Sequence, residues 1–433
     1  MQYYSTNRQS PAVDFKEAAI TGLPPDGGLY FPEEIPALSE DFIANLDQYS
    51  TEELAYEVLS PYVKGTIPVS ELVAIIIEAI DYKIPLVKAT KDISILELFH
   101  GPTLTSKDLG ARFAGRCLEY FSTQMYDKPV VLVATSGDEG GAIANSFFDI
   151  EGIDVVILYP ADKMNIIQEK ELTTLGKNIH PIEVKGTYED CKKMVDEVFA
   201  DKELQEKIFL TTASSANIAV WLSQQLNYFF AYKQWLEKDM PPVISVPSGN
   251  LGNISAGLLA HKSGLPIQHF IAACNANDML VEFLKTEKYQ PKKIIPTIST
   301  SMDVGDPADL TRIMELFHQN VDDIKKVLSS YSINDSETKN TIRSVYNRTG
   351  YLLDPHTAVG YAALTHFNAD NSNQKGIVFK TAHPAKFFDI VEAIIEEPTP
   401  MPASVELELI KEKTTYKINT DVNVLKYYLL TLL

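Results

Sequence analysis

The stretch "FHGPTLTSKDLGARFAGRCLEYF" places Lys107 behind a Gly-Pro-Thr turn and two small hydroxyl residues, at the opening of an amphipathic helix. At about 100° per residue, Phe113, Ala114, Cys117, Leu118 and Phe121 share one half of the wheel, and Arg112, Arg116 and Glu119 the other. Lys107 projects onto the apolar half. A lysine so placed either lays its stem on apolar surface with the ammonium in water, or is partly desolvated. Desolvation moves an amine's pKa toward neutrality and makes it a nucleophile able to form a Schiff base.

Further polar loops follow directly on apolar runs. In "VISVPSGNLGNISAGLLAHKSG" the residues Ser248, Gly249, Asn250, Leu251, Gly252 and Asn253 lead from a strand into a helix. Glycines there let backbone approach a ligand, and consecutive N–H groups at a helix start form a cradle that suits a phosphate. The spacing is neither GxGxxG nor a Walker loop, so it does not indicate a dinucleotide or a triphosphate. In "ATSGDEGGAIANSFF" the residues Thr135, Ser136, Gly137 and Asp138 open another helix. They suit a carboxylate, or Asp138 simply caps the helix. In "FKTAHPAKFF" the hydroxyl of Thr381 is able to donate to or accept from a buried heteroatom, whereas His383 reads as structural. His100, His356 and His383 show no ligand spacing such as HExxH, so no metal site is expected.

The elements that must present these loops are visible as an alternation. The runs "PVVLVA", "IDVVILYP", "NIHPIEV", "PPVISVP", "IQHFIAA" and "GIVFKTA" alternate with longer amphipathic segments, which predicts βαβ units and largely parallel sheet covered on both faces. Ligands of such sheets gather beyond the carboxyl ends of the strands, where the small polar loops lie. Residues 1–92 carry the helical patterns "TEELAYEVLSPYV" and "VSELVAIIIEAIDY" and read as a small, mainly helical amino-terminal domain. Residues 93–396 form the α/β region, expected as two subdomains with the smaller at roughly 105–200. After the Pro-rich "PTPMPAS", 397–433 reads as a carboxy-terminal extension.

The 433 residues are 45% hydrophobic and 22% charged, with a formal net charge of −20. That charge excludes nucleic acid and anionic membrane as main partners, because both need clustered Lys and Arg. Cys117, Cys191 and Cys274 are widely spaced without CxxC pairing, as in a reducing compartment. With no signal-like start and no uncharged run of spanning length, a cytoplasmic protein is expected.

"FHGPTLTSKD", "TSGDEG", "PSGNLGN", "MDVGDP" and "TAHPAKF", in that order, resemble the blocks of threonine synthase, and the amino-terminal 30 or so residues resemble that family's first domain. The resemblance implies a fold type II pyridoxal-phosphate enzyme, tryptophan synthase β-like. It implies that Lys107 carries pyridoxal 5′-phosphate as a Schiff base, that Ser248–Asn253 hold the cofactor phosphate, and that Thr381 faces the pyridine nitrogen. Asp138 would lie near the ring hydroxyl, and Thr135, Ser136 and Gly137 by the substrate carboxylate. The implied reaction is conversion of O-phospho-L-homoserine and water to L-threonine and phosphate, by a monomer or homodimer acting on a small phosphorylated amino acid. Three positions depart from the pattern: Ser106 precedes the lysine in place of a large apolar residue, Glu139 replaces Thr in "SGDTG", and "ASSANIAVW" puts Val220 at a phosphate-binding arginine. Lys163 and Asn217 are the candidates to serve the substrate phosphate instead. The alternatives are a pyridoxal-phosphate dehydratase or replacement lyase on a differently activated amino acid, and a non-catalytic relative on the same scaffold.

Overall fold

The computed structural model describes residues 1–371 and 374–432. A three-stranded antiparallel sheet comes first, of β1 (Gln2–Ser5), β2 (Val13–Asp14) and β3 (Tyr30–Pro32) in the order β2-β1-β3. The helices Thr51–Val63 and Val69–Ala79 follow where the apolar periodicity predicts them. The first starts at a capping box between Ser50 and Glu53, which satisfies donors that the first turn would otherwise leave open.

The next strands are β4 (Leu86–Lys88), β5 (Ile93–Glu97), β6 (Pro129–Ala134), β7 (Asp154–Pro160), β8 (Ile179–Lys185), β9 (Phe209–Thr211), β10 (Val243–Pro247), β11 (His269–Cys274), β12 (Leu328–Ser332), β13 (Gly376–Lys380) and β14 (Tyr416–Asn419). They form two sheets. The larger has the order β12-β11-β10-β13-β5-β4, parallel except for β4, with Lys380 of β13 opposite Glu97 of β5. The smaller has the order β14-β8-β7-β6-β9 and is parallel throughout. Helices pack on both, so the central strands are buried along nearly their whole length and read as unbroken Val/Ile/Leu runs.

The sheets do not respect the expected boundaries. β4 belongs to the larger sheet although it lies within 1–92, and the smaller sheet runs on to Thr211 and recruits β14 from 397–433. β14 buries only Ile418 of its four residues, so nothing in its composition distinguishes it from a loop. The amino-terminal unit shares its core with the larger sheet: Tyr3, Phe15 and Leu54 belong to one apolar cluster with Trp221 and Phe379. Helix Lys107–Ser122 packs against helices Asp138–Phe147 and Ile218–Gln224. Gly110 permits the second approach, since a Cβ there would stand 2.8 Å from Val220 Cγ1. Among the described residues no helix is long and apolar enough to cross a membrane, and no group of His, Cys, Asp and Glu could hold a metal ion.

Candidate active site

Parallel strands bring their carboxyl ends to one side of each sheet, and the polar loops meet there through a chain of contacts. The loop after β5 delivers Lys107 as the first residue of its helix. It is tied to the end of β13, because Ser106 N–H and the Thr105 hydroxyl donate to Thr381 O at 2.8 and 3.1 Å. Lys107 Nζ lies 3.6 Å from Glu139 Oε1, which also accepts the Ser215 N–H at 3.0 Å. Asn250 donates to Ser215 Oγ at 3.3 Å and to Asp309 at 3.1 Å, and accepts from Ala308 N–H at 2.9 Å. Ser301 closes the ring toward Asp138, with its Oγ 3.4 Å from Asp138 Oδ2. Lys107 is less buried than its place on the helical wheel predicts. Its side chain is 37% accessible, because the first turn projects past the core that Phe113, Cys117 and Phe121 fill.

The loop after β10 carries the residues expected to form an anion cradle. Ser248 is anchored by its N–H to Ala273 O and by its Oγ to Val246 O, both at 2.8 Å. Leu251 adopts φ +68°, ψ 2° as the residue preceding helix Gly252–Lys262, a left-handed conformation costly for a branched side chain. Among the described residues, the backbone N–H groups of Gly249, Asn250, Leu251 and Gly252 meet no protein acceptor. Asn253 instead faces Tyr228, whose hydroxyl donates to its backbone and side-chain oxygens at 2.9 and 3.0 Å. Thr381 stands just past β13, and among the described residues its hydroxyl has no hydrogen-bond partner.

The loop after β6 is held from within. Thr135 Oγ1 accepts from Gly137 N–H at 3.1 Å and Gly140 N–H at 3.0 Å, so its side chain shapes the turn and does not face outward. Ser136 is exposed, and Gly137 is buried against Gln168. Asp138 enters a buried cluster that the sequence does not announce. Lys386 Nζ, fully buried, lies 2.9 Å from Asp138 Oδ1 and donates at 2.9 Å to Glu171 and to Thr103 O. Burial would raise the Asp138 carboxyl, but Lys386 and Gln168 hold it below the usual range. Burial pushes Glu171 up to about 7. Asp108, beside Lys107 and bonded by Thr103 N–H and Oγ1 at 3.0 and 2.6 Å, is pushed by burial to about 6.

Two expected substrate residues differ sharply in their surroundings. Asn217 is fully buried and caps helix Ile218–Gln224, accepting from Ala219 N–H and donating to Ala19 O and Thr212 O at 2.9 and 2.7 Å. Its amide is used up by backbone. Lys163 is exposed in the turn after β7, and among the described residues it makes no ion pair or hydrogen bond. Val220 is buried against Gly110 and does not face the site. The cation that serves the 213–217 segment is Arg312, fully buried, which donates to Ser215 O at 3.0 Å, Ala216 O at 2.6 Å and Asp309 at 2.8 Å. Its only sequence signal is its position just after "MDVGDP".

Fold and site together define a pyridoxal-phosphate enzyme of fold type II, and the family model described as pyridoxal-phosphate dependent enzyme matches residues 84–380. Models for the threonine synthase N terminus and the threonine synthase C-terminal region match 2–80 and 357–429. The chain is 38% identical over 432 residues to threonine synthase of Buchnera aphidicola subsp. Acyrthosiphon pisum, covering 99% of this chain and 100% of the relative. The crystal structure of threonine synthase from Escherichia coli superposes with a TM-score of 0.94 at 34% identity, each chain covered in full. That of PLP-bound threonine synthase from Brucella melitensis does so with 0.93 at 30% identity, covering 100% of this chain and 99% of the other. The chain belongs to the threonine synthase family, and its cofactor is pyridoxal 5′-phosphate. The residues fit that group: among the described residues, a run of N–H groups without a protein acceptor suits its phosphate, an accessible amine its aldehyde, and a hydroxyl without a partner its ring nitrogen.

Proposed function

We propose that this protein converts O-phospho-L-homoserine and water to L-threonine and inorganic phosphate, with Lys107 as the residue that carries the cofactor. The observation that carries the reading is the chain of contacts from Lys107 through Glu139, in the loop that opens with Thr135, and Ser215 to Asn250 of the Gly249–Gly252 cradle, with Thr381 O bonded to the Ser106 N–H beside Lys107. Bound there, the cofactor supplies an electron sink for negative charge developing next to the substrate amine.

The protein's own residues do the rest. The backbone N–H groups from Gly249 to Gly252 hold the cofactor phosphate, helped by the positive end of helix Gly252–Lys262. Thr381 would offer a neutral hydroxyl to the ring nitrogen, and Asp138 is held as a carboxylate by Lys386. Ser136 and the turn at Gly137 face the substrate carboxylate. The Lys107 amine would take the proton from Cα and then one from Cβ as phosphate leaves Cγ, with protons returned to Cγ and Cα as water adds at Cβ; this requires an amine with room to move, and its accessible first-turn position gives it that room. Over the whole reaction phosphate leaves Cγ and water adds at Cβ. The three cysteines are free and buried, which supports work in a reducing compartment such as the cytoplasm.

Two measurements test the reading. Cofactor-loaded protein is expected to release phosphate and threonine in equal amounts from O-phospho-L-homoserine, and Lys107→Ala to release neither. Borohydride reduction followed by mass spectrometry is expected to place a pyridoxyl adduct on the Lys107 peptide. A loaded protein that releases no phosphate overturns the substrate, and an adduct on another lysine overturns the role of Lys107.

A further inference from the structure

His356 is a titratable residue that the reaction steps leave unused, 2% exposed in the first turn of helix Pro355–Asp370. Its two ring nitrogens meet different partners. Nδ1 lies 3.0 Å from Oδ1 of Asp354, the cap of that helix, and Nε2 accepts the backbone N–H of Ser301 at 3.2 Å. Asp354 also takes the N–H groups of His356 and Thr357 and the Thr357 hydroxyl, so its oxygens act as acceptors throughout. A carboxylate accepts and a backbone N–H donates. The partners therefore fix the tautomer, with the ring proton on Nδ1 and a bare lone pair on Nε2. The order Asp354–His356–Ser301 is that of a nucleophile relay, but the imidazole meets backbone, and the Ser301 hydroxyl is turned to Asp138 at 3.4 Å. What the ring holds is a piece of main chain.

That main chain is the single turn Thr300–Met302, which runs into "MDVGDP". The first N–H groups of a helical turn have no partner inside it, and His356 supplies one from another element. The turn lies against the cradle: a Cβ at Gly249 would stand 2.9 Å from Met302 Cα and 3.1 Å from Ser301 O. Gly249 thus rests on backbone, with no side chain between them to absorb a shift. The far end of the turn is held separately, by Asp303, which accepts from Thr297 N–H and Oγ1 at 3.0 and 2.7 Å and from Asn275 at 2.8 Å. At Ser301 the anchor is His356. None of these contacts involves the Lys107 amine, so they do not depend on what that amine bears.

We propose that His356 is a positioning residue for the cofactor cradle: its bare Nε2, fixed by Asp354, holds the Ser301 N–H and so keeps the turn Thr300–Met302 seated against Gly249. This rests on the reading of Gly249–Gly252 as the cradle of the cofactor phosphate. His356 acts through the turn and not on the reacting atoms, and what it sets is the affinity of the protein for pyridoxal 5′-phosphate.

Two variants separate the acceptor from the ring. His356→Phe keeps an aromatic ring beside Phe387, whose centroid lies 4.7 Å away, and removes the acceptor; Asp354 keeps its backbone and Thr357 donors. His356→Gln loses the ring and keeps a carbonyl oxygen at about the reach of Nε2. The holoenzyme of each is dialysed to equilibrium against graded pyridoxal 5′-phosphate, and bound cofactor is read by its absorbance. His356→Phe is expected to hold the cofactor about fivefold more weakly than the parent, the scale of one hydrogen bond lost, and His356→Gln to stay within about twofold. A ring that only fills space gives the reverse order. Unchanged affinity in His356→Phe, or an equal loss in both variants, overturns the proposal. Gly249→Ala is measured alongside. A loss of affinity there with none in His356→Phe removes the role of His356 and leaves the cradle, whereas no loss in Gly249→Ala removes the cradle reading and the proposal with it.

Discussion

Replacing Lys386 by Met tests how the wall beside Asp138 is held. The ammonium is fully buried, and its partners Asp138, Glu171 and Thr103 O all lie at 2.9 Å. Burial alone would lower this lysine, but Asp138 and Glu171 raise it above its ordinary value. Without it two carboxyls remain in the interior with no cation, and removing one side of a buried pair costs about 3–5 kcal/mol. The pH dependence follows from the sign of each shift. In the parent, Asp138 titrates below its ordinary value, so its contribution is present above that value and is lost as pH falls through the folded pKa. In the variant, burial acts on Asp138 against the Gln168 hydrogen bond without the ammonium, and on Glu171 without its cation, so both titrate higher than in the parent and protonation favours the fold. The cost therefore grows as pH rises from about 5 to about 8. At about 2.1 cal/mol/K per residue, a chain of 433 residues unfolds with about 0.9 kcal/mol/K, so the loss corresponds to about 3–6 °C in Tm at pH 8 and to a smaller shift near pH 5. Scanning calorimetry of parent and variant at both pH values and matched ionic strength reads this. A Tm difference that is constant with pH, or larger in acid, refutes the reasoning.

Other perturbations separate the cradle from its supports. A Cβ at Gly249 would stand 2.9 Å from Met302 Cα and 3.1 Å from Ser301 O, both backbone, so Gly249→Ala is expected to shift the loop and weaken cofactor binding about tenfold or more in a spectroscopic titration of the apoprotein; affinity within about twofold refutes it. Asn217→Ala removes a helix cap and leaves Ala19 O and Thr212 O without their amide donor. It is expected to cost about 2–4 kcal/mol of stability with KM for the amino-acid substrate changed by no more than about twofold; a selective rise in KM at unchanged Tm would return Asn217 to the substrate site.

The parts of the site that could be read without coordinates are those whose chemistry is local. Gly249, Leu251 and Gly252 lie between an apolar strand and a helix, and a cradle of N–H groups needs only that succession. Lys107 opens a helix whose apolar face is legible at its period, and Thr381 follows a buried strand. Thr135 shows the limit of such reading: a hydroxyl at a helix start is visible, but its bonds to Gly137 and Gly140 turn it inward. Asn217 shows it again, because the acceptors Ala19 O and Thr212 O approach from other parts of the chain.

Local order along the chain was enough for the alternation of strands and helices, and the parallel arrangement that follows gathers the polar loops at one side. It was enough, too, for the residue types that suit a phosphate, an aldehyde and a ring nitrogen. What required the folded molecule was the assignment of charge partners. Lys386 is separated from Asp138 by 248 positions and Glu139 from Ser215 by 76, and no periodicity links such pairs. Buried ion pairs depend on which elements the sheets bring into contact, and on the low-dielectric surroundings that make each partner obligatory to the other. Three lysines that each follow an apolar strand thus separate only in the folded chain: Lys107 beside Glu139 at an accessible site, Lys163 in solvent, and Lys386 sealed among carboxylates.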